Sequence, residues 1–515
     1  MTARRRYITT TIPYVNARPH LGFALELVQA DTLARHHRHR GEQVRLLSGT
    51  DDNSLKNVLA AEAAGVDVQS FVDRNADAFA ALRGPLALSL DDFIRTSSDP
   101  RHRVGVERLW RQCAASGDLY RKEYEGLYCV GCEQFYTPGE LVDGRCREHG
   151  TQPQLVAEEN WFFRLSRYAD RLHQLISSGD LRIEPFARRN EVLALVEGGL
   201  HDFSVSRSHS RARGWGIPVP DDPGQVVYVW WDALGNYVTS LGYGTDDTAY
   251  AQWWATSERR VHLVGKGVVR FHAVYWPAML LSAGLPLPTD ILVHDYLTVD
   301  GRKISKSAGT TVDPTALAAA YGTDAVRWWL LRDVPRVGDA DFTPDRLTAR
   351  ADADFAKGLG NLVHRIVTMV HRFRGGTIPT AAPEPSSVPT LVDVYRKTPG
   401  LVDAGLADFD FRRATRAVWN IVEEANRYVD ATRPWELARA ERQGDSEAAR
   451  RLDTALGTLV TACHVLADEL RPFIPDAAAR ITGQLTPVEG RLPAAQPLFP
   501  RLQEDTENTE ETQPA

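Results

Sequence analysis

The chain has 515 residues, 43% of them hydrophobic, and a formal net charge of −7. That length and apolar content permit large cores shared among two to four domains. The charge excludes a wholesale basic coat for nucleic acid, and no uninterrupted apolar run is long enough to cross a membrane, so a cytoplasmic protein with no membrane partner is expected. Cysteines are few: Cys129, Cys132 and Cys146 sit close together with His149, a spacing that suggests metal in a reducing compartment and not a disulfide framework.

Residues 6 to 12 read as a strand, 20 to 40 as a helix ended by Gly41, and "EQVRLLSG" as the next strand, which is the βαβ rhythm of a parallel sheet. Within this run "PHLGF", residues 19 to 23, puts a histidine, a glycine and a helix N-terminus just after a strand. Backbone N–H groups and the positive dipole end face a ligand there, which suits phosphate. The basic stretch "LARHHRHRG", residues 33 to 41, reads as a solvated last turn with favourable dipole charges. Between about 115 and 205 the rhythm breaks into short Gly- and Cys-punctuated pieces, and strand-like runs return at "VVYVWW", "RRVHLVG" and "DILVHDYL". An insertion therefore splits the α/β domain.

From about 350 the pattern is helical, with Ala414, Ala417, Val418, Ile421 and Ala425 on one stripe and Leu452, Ala455, Leu456, Leu459 and Cys463 on another. This is a helical bundle. A Pro-rich connector, "IPTAAPEPSSVP", interrupts it, and the acidic tail "QEDTENTEETQPA" reads as disordered.

Two local motifs carry chemistry. "CVGC" followed by "CREH" supplies Cys129, Cys132, Cys146 and His149, three thiolates and one imidazole that close a tetrahedral shell, so a zinc there is structural. "DGRKISKSAGT", residues 300 to 310, places Lys303 and Lys306 with Ser305 and Ser307 after an Asp-Gly turn. Two ammonium groups on a Gly-bounded loop suit a triphosphate, although alone such a loop is usually just a solvated surface loop.

Together, "PHLGF" and "KISKS" resemble the two signatures of class I aminoacyl-tRNA synthetases, and within that class the chain resembles methionyl-tRNA synthetases. The likeness runs from about residue 6 to 485, through "YITTTIPYVNARPHLG", "YCVGCEQFYT", "YVWWDALGNYVTSLGYG", "RFHAVYWPAMLLSAGLPLP" and "TRPWELA". It implies an α/β fold in which a Rossmann-type parallel-sheet catalytic domain, residues 1–115 and 206–292, is split by a zinc-knuckle insertion at 116–205. A KISKS-loop stem-contact region at 293–350, a helical anticodon-binding bundle at 351–500 and a disordered acidic tail at 501–515 follow.

The implied function is ATP-dependent activation of methionine to methionyl-adenylate and transfer to tRNA with a CAU anticodon, with ATP and Mg2+ required and zinc structural. His20, Lys303 and Lys306 are the expected catalytic residues, and Gly22 and Ser305 join them in binding ATP. The methionine cage would comprise Ile12, Tyr14, Trp230, Ala233, Leu234, Tyr237, Val268, His272 and Trp276, with Asp51 receiving the ammonium group. An aromatic wall suits a polarizable thioether. Asn361, Arg365 and Trp435 would read the anticodon, and a chain ending at the bundle favours a monomer.

The family pattern fails at three places. Phe23 stands where a second histidine ordinarily ends the first signature, which would remove a phosphate or ribose contact worth about 10²-fold or more in rate. Asn53 and Ser54 replace a usual His-Gly, and Gly267 a usual aspartate. These departures leave an alternative open: a paralogue of specialised metabolism that activates an amino acid for a non-tRNA acceptor, for example in hydrazine-type N–N bond formation. A noncatalytic RNA-binding relic should have lost the "KISKS" lysines, which are kept.

Overall fold

The computed structural model describes residues 4–130, 134–147, 150–304, 311–380, 391–499 and 502, with the side chains of Gln134 and Lys303 excepted. They fall into two compact units, one drawn from within residues 1–84, 88–296 and 304–311, the other from within 85–87, 297–303 and 312–515.

The first unit is built on a six-stranded sheet in the order Asp92–Arg95, Gln43–Thr50, Arg5–Thr9, Arg259–Gly265, Asp290–His294 and Arg182–Glu184. Every pairing is parallel. Such a sheet is covered on both faces and its strands read as apolar runs, as Arg259–Gly265 does with Val261, Leu263 and Val264 buried. The first strand stops at Thr9, short of the expected 12. Pro13 has no N–H for a ladder, and its carbonyl instead accepts from Asp51 N at 2.9 Å.

Three stretches depart from the sequence reading. "VVYVWW" is divided: Asp222–Val227 is a strand, and both tryptophans belong to the helix Val229–Thr239. That helix is buried nearly all round, so its apolar run carries no period that tells helix from strand. The edge strand Arg182–Glu184 comes from within the stretch read as insertion. "LARHHRHRG" is not simply solvated, because His36 is buried and packs against the His37 ring at 5.2 Å.

The remainder of the insertion holds a four-stranded antiparallel sheet in the order Gln134–Tyr136, Leu119–Cys129, Gln154–Phe163 and Phe203–Ser204, and the helices Ala169–Ser178 and Phe186–Glu197. The second unit is helical, with Asn361–Arg374, Leu391–Ala407, Phe411–Thr432, Pro434–Glu441, Ser446–Leu470 and Pro475–Leu485. Both apolar stripes read from the sequence are buried there. Among the described residues no helix is long and apolar enough to cross a membrane.

In the first unit, chain order reverses between Arg5–Thr9 and Arg259–Gly265. An open parallel sheet takes its ligand in the crevice beyond the carboxyl ends at such a point. A buried ion pair braces that crevice. Glu26, on the helix Leu21–His39, accepts from the backbone N and hydroxyl of Thr11 at 2.5 and 2.6 Å, and its other oxygen lies 2.9 Å from His294 Nε2. His294 Nδ1 donates to the Asp295 carbonyl at 2.9 Å, so both ring nitrogens carry protons when Glu26 is engaged.

Burial alone would lower the pKa of His294, but the Glu26 hydrogen bond and charge outweigh it and hold the imidazole above its ordinary range. The pair's contribution to stability is therefore full below the unfolded histidine value of about 6.5 and is lost as pH rises through the folded value. Thermal denaturation of the parent and of Glu26→Gln between about pH 6 and pH 9 should show a gap that is widest at the acid end and narrows with rising pH. A gap that is constant or widens with pH would contradict the charged pair.

Candidate active site

The first strand hands over to the helix Leu21–His39 through His20, whose Nδ1 accepts the Gly22 amide at 3.1 Å. That bond caps the helix and leaves the proton of the neutral ring on Nε2, the nitrogen able to donate to an anion. A Cβ at Gly22 would lie 3.0 Å from the imidazole, so a side chain there would press the ring out of this position. Phe23 points the other way: it is buried and meets Phe79 edge-on at 5.5 Å. It fills the core between two helices, and the dipole end of the first helix turn lies beside His20 and Gly22.

Facing this turn is the loop after the strand Gln43–Thr50. Tyr14 and Asp51 form an isolated parallel bridge, and Asn57 Nδ2 donates to the carbonyls of Asp51 and Asp52, each at 2.9 Å. Gly49 lets the chain pass, because a Cβ there would meet the Ile94 carbonyl at 2.2 Å and Ile12 at 3.1 Å. Ser54 caps the helix Leu55–Ala63 by accepting from Lys56 N at 3.0 Å, and the Lys56 ammonium lies 4.8 Å from the centre of the Tyr14 ring.

The aromatic wall is assembled from two segments. The helix Val229–Thr239 carries Trp230, Ala233, Leu234 and Tyr237, and the turns after Gly265 carry Val268, His272 and Trp276. Trp230 stacks on Phe271 at 3.7 Å and stands edge-on to Tyr14 at 6.4 Å and to His272 at 6.3 Å. Tyr237 contacts Trp276 at 5.9 Å. All ten residues of the expected cage thus lie in this unit, and the ring contacts join Tyr14, Trp230, Tyr237, His272 and Trp276 directly.

Hydrogen bonding fixes the polarity of that wall. His272 Nδ1 lies 2.9 Å from the Val268 carbonyl, which can only accept, so Nδ1 holds the proton and Nε2 accepts from the Tyr237 hydroxyl at 2.8 Å. Burial drives the His272 pKa down to about 4, so the ring is neutral at physiological pH, and the same burial pushes the Tyr237 phenol well above its ordinary value. Behind them the Trp276 indole donates to His262 Nε2 at 3.2 Å, and His262 Nδ1 in turn donates to the Thr9 hydroxyl at 2.6 Å. His262 is likewise held neutral by burial. The wall is mainly aromatic and both of its histidines are neutral, and Asp51 adjoins it through the bridge to Tyr14, whose ring stands against Trp230.

His262, Glu26 and His294 escaped sequence reasoning. Their partners lie far away in sequence, 253 residues for Thr9 and His262 and 268 for Glu26 and His294, and no local motif marks them. Gly267 lies in the turn Lys266–Val268, where Lys266 approaches Asp295 at 3.8 Å. Backbone at Lys303 pairs with Thr298, whereas its side chain, Ser305 and Lys306 lie outside the described residues.

Cys129 and Cys146 are both buried in a small cluster with Tyr136 and Leu141, and Cys132 and His149 lie outside the described residues. Two thiols gathered in one small cluster at the end of the insertion fit a soft metal such as zinc. In the second unit the Arg365 guanidinium sits 5.4 Å from the Trp435 ring centre and 3.6 Å from Asp430, and Trp435 is 41% exposed. Asn361 opens the same helix, also exposed.

Comparison with known proteins identifies the family. Residues 6–148 and 136–367 match the model of the "tRNA synthetases class I (M)" family, and residues 390–503 match the "Anticodon binding domain of methionyl tRNA ligase". A methionine–tRNA ligase of Caldanaerobacter subterraneus is 39% identical over 93% of this chain and 73% of its own, and one of Thermotoga maritima 38% identical over 92% and 74%. Mycobacterium tuberculosis methionyl-tRNA synthetase in complex with methionyl-adenylate superposes with a TM-score of 0.90, 37% identity and coverage of 97% of this chain and 100% of that one. On sequence and on fold, the chain belongs to the methionyl family of class I tRNA synthetases.

Proposed function

We propose that the neutral aromatic box binds the methionine side chain and that the crevice beside it binds ATP. The chain is an aminoacyl-tRNA ligase whose substrates are methionine, ATP and tRNA. The observation that carries the pocket assignment is the Tyr237–His272–Val268 chain, which sets weak polar groups among aromatic rings with no charge. A thioether is polarizable and a poor acceptor, and such a wall suits it better than it suits a charged or strongly polar side chain.

In this reading Asp51 receives the ammonium group, with Ile12, Tyr14, Trp230, Ala233, Leu234, Val268 and Trp276 enclosing the rest. The methionine carboxylate attacks the α-phosphate of ATP in line and pyrophosphate leaves; a ribose hydroxyl of the terminal adenosine of tRNA then attacks the acyl carbon, and AMP leaves. His20 Nε2–H, the Gly22 turn, Lys303, Ser305 and Lys306 stabilise charge that shifts onto pyrophosphate, with Mg2+ accompanying ATP. Because Phe23 packs into the core, the missing second imidazole is a lost contact and not a blocked site.

Asn361, Arg365 and Trp435 read the CAU anticodon, the exposed indole offering a stacking face beside a guanidinium. Cys129, Cys132, Cys146 and His149 hold one structural zinc, which orders the insertion. The domain limits at 115, 205, 292, 350 and 500, a monomeric state and a cytoplasmic location complete the proposal.

Two experiments test this. Methionine-dependent pyrophosphate exchange and charging of CAU-anticodon tRNA should both occur in the parent, and Trp435→Ala should cut charging by about 10- to 100-fold, a loss of stacking worth ~1–3 kcal/mol, while exchange stays within about twofold. Robust exchange with no charging by the parent would favour a non-tRNA acceptor. Metal analysis of the purified chain should find one zinc, lost from Cys129→Ser; absence of zinc with three reactive thiols would refute the knuckle.

A further inference from the structure

The residue that departs from the family pattern beside Asp51 is not idle. Asn53 Nδ2 donates to Asp232 Oδ2 at 2.7 Å and to the Thr96 carbonyl at 3.3 Å. Both partners are acceptors, so the amide can face them only with its NH2 group. Asp232 is fully buried, and its other oxygen takes His102 Nε2, itself fully buried and held through Nδ1 by the Thr239 hydroxyl at 2.8 Å. A buried carboxylate is tolerable only while its oxygens are hydrogen-bonded, and here one comes from His102 and the other from Asn53.

The placement of these groups matters more than their number. Asp232 lies in the first turn of the helix Val229–Thr239, between Trp230 and the Ala233, Leu234 and Tyr237 positions that line the box. Asn53 lies two residues after Asp51, and its own backbone N approaches Asp51 Oδ1 at 3.3 Å. The rest of that loop is fastened to the scaffold: Asp52 N donates to the Thr96 hydroxyl at 2.9 Å, and the Trp215 indole donates to the Asp52 carbonyl at 2.8 Å. The side-chain hydrogen bond of Asn53 to Asp232 carries this loop to the pocket helix.

We infer that Asn53 is a positioning residue for the amino-acid site, coupling the Asp51 loop to the helix that carries the side-chain pocket, so that the ammonium and thioether ends of one substrate are read at a fixed separation. The assignment rests on the methionine reading above. It gives the departure at this position a role, because an amide supplies two N–H groups to two acceptors at once. A carboxylate of the same shape supplies none unless protonated.

The test is pyrophosphate exchange by the parent, Asn53→Ala and Asn53→Asp, with KM measured separately for methionine and ATP. Loss of a hydrogen bond to a buried charge should raise the methionine KM of Asn53→Ala by about tenfold or more, with the ATP KM within about twofold. Asn53→Asp keeps the side-chain volume but sets a second carboxylate against Asp232, and two such groups sharing a site hold one proton at raised pKa. Its activity relative to the parent should climb as pH falls from about 8 to about 6, because the protonated acid regains a donor. A defect spread equally over both substrates, or an Asn53→Asp to parent ratio that is flat with pH, would overturn the assignment. If the parent shows no methionine-dependent exchange, the ligase reading falls and this assignment with it. Exchange in the parent matched by both variants would overturn the assignment alone.

Discussion

The hydrogen bond from the Tyr237 hydroxyl to His272 Nε2 runs in one direction only, because the Val268 carbonyl claims the proton on Nδ1. Much of the pocket follows from that commitment. A ring locked in one tautomer and kept neutral by burial presents no cation to the substrate, and a phenol that spends its proton on the ring stays un-ionised. The rings of Trp230, Trp276 and His262 then pack around a polar pair that needs no water. Loss of the Val268 contact would free the tautomer, and with it the direction of the Tyr237 hydrogen bond.

The sheet supplies the other half of the design. Its chain order reverses where Thr9 ends one strand and Gly265 ends its neighbour, and helix, loop and aromatic wall all converge there. Glu26 and His294 brace the crevice from below, and His20 caps the helix whose N-terminus opens into it. The charged groups of the site are thus structural supports or sit at its rim, while its box is neutral. This division suits a reaction in which the protein positions two substrates and balances migrating phosphate charge, and contributes little covalent chemistry.

Much of this was legible in the sequence, for identifiable reasons. Arg259–Gly265 is a buried parallel strand and reads as a bounded apolar run; the stripes around Ala417 and Leu456 show helical period because one face of each helix is solvated. Family likeness named the cage residues as a set, and the structure joins Tyr14, Trp230, Tyr237, His272 and Trp276 of that set by ring contacts. What stayed hidden is what sequence order scatters. Asn53 and Asp232 are 179 residues apart, and the helix that carries Asp232 is buried nearly all round, so its first residues, Val229 to Trp231, read as part of a strand-like run. The edge strand Arg182–Glu184 spans three residues, too short for a two-residue period to register. Phe23 stands in sequence where the signature ordinarily has a histidine; only packing against Phe79 shows which way the side chain turns.

The central claim is that a neutral Tyr237–His272 pair in an apolar box recognises a thioether. The most direct measurement is the ratio of kcat/KM for methionine over its methylene isostere norleucine in pyrophosphate exchange, followed between about pH 5.5 and pH 8. With the His272 pKa driven down to about 4, the ratio should favour methionine and stay flat across that range. A ratio that breaks near the ordinary histidine value of about 6.5 would show an imidazole that titrates in the pocket, and would contradict the account.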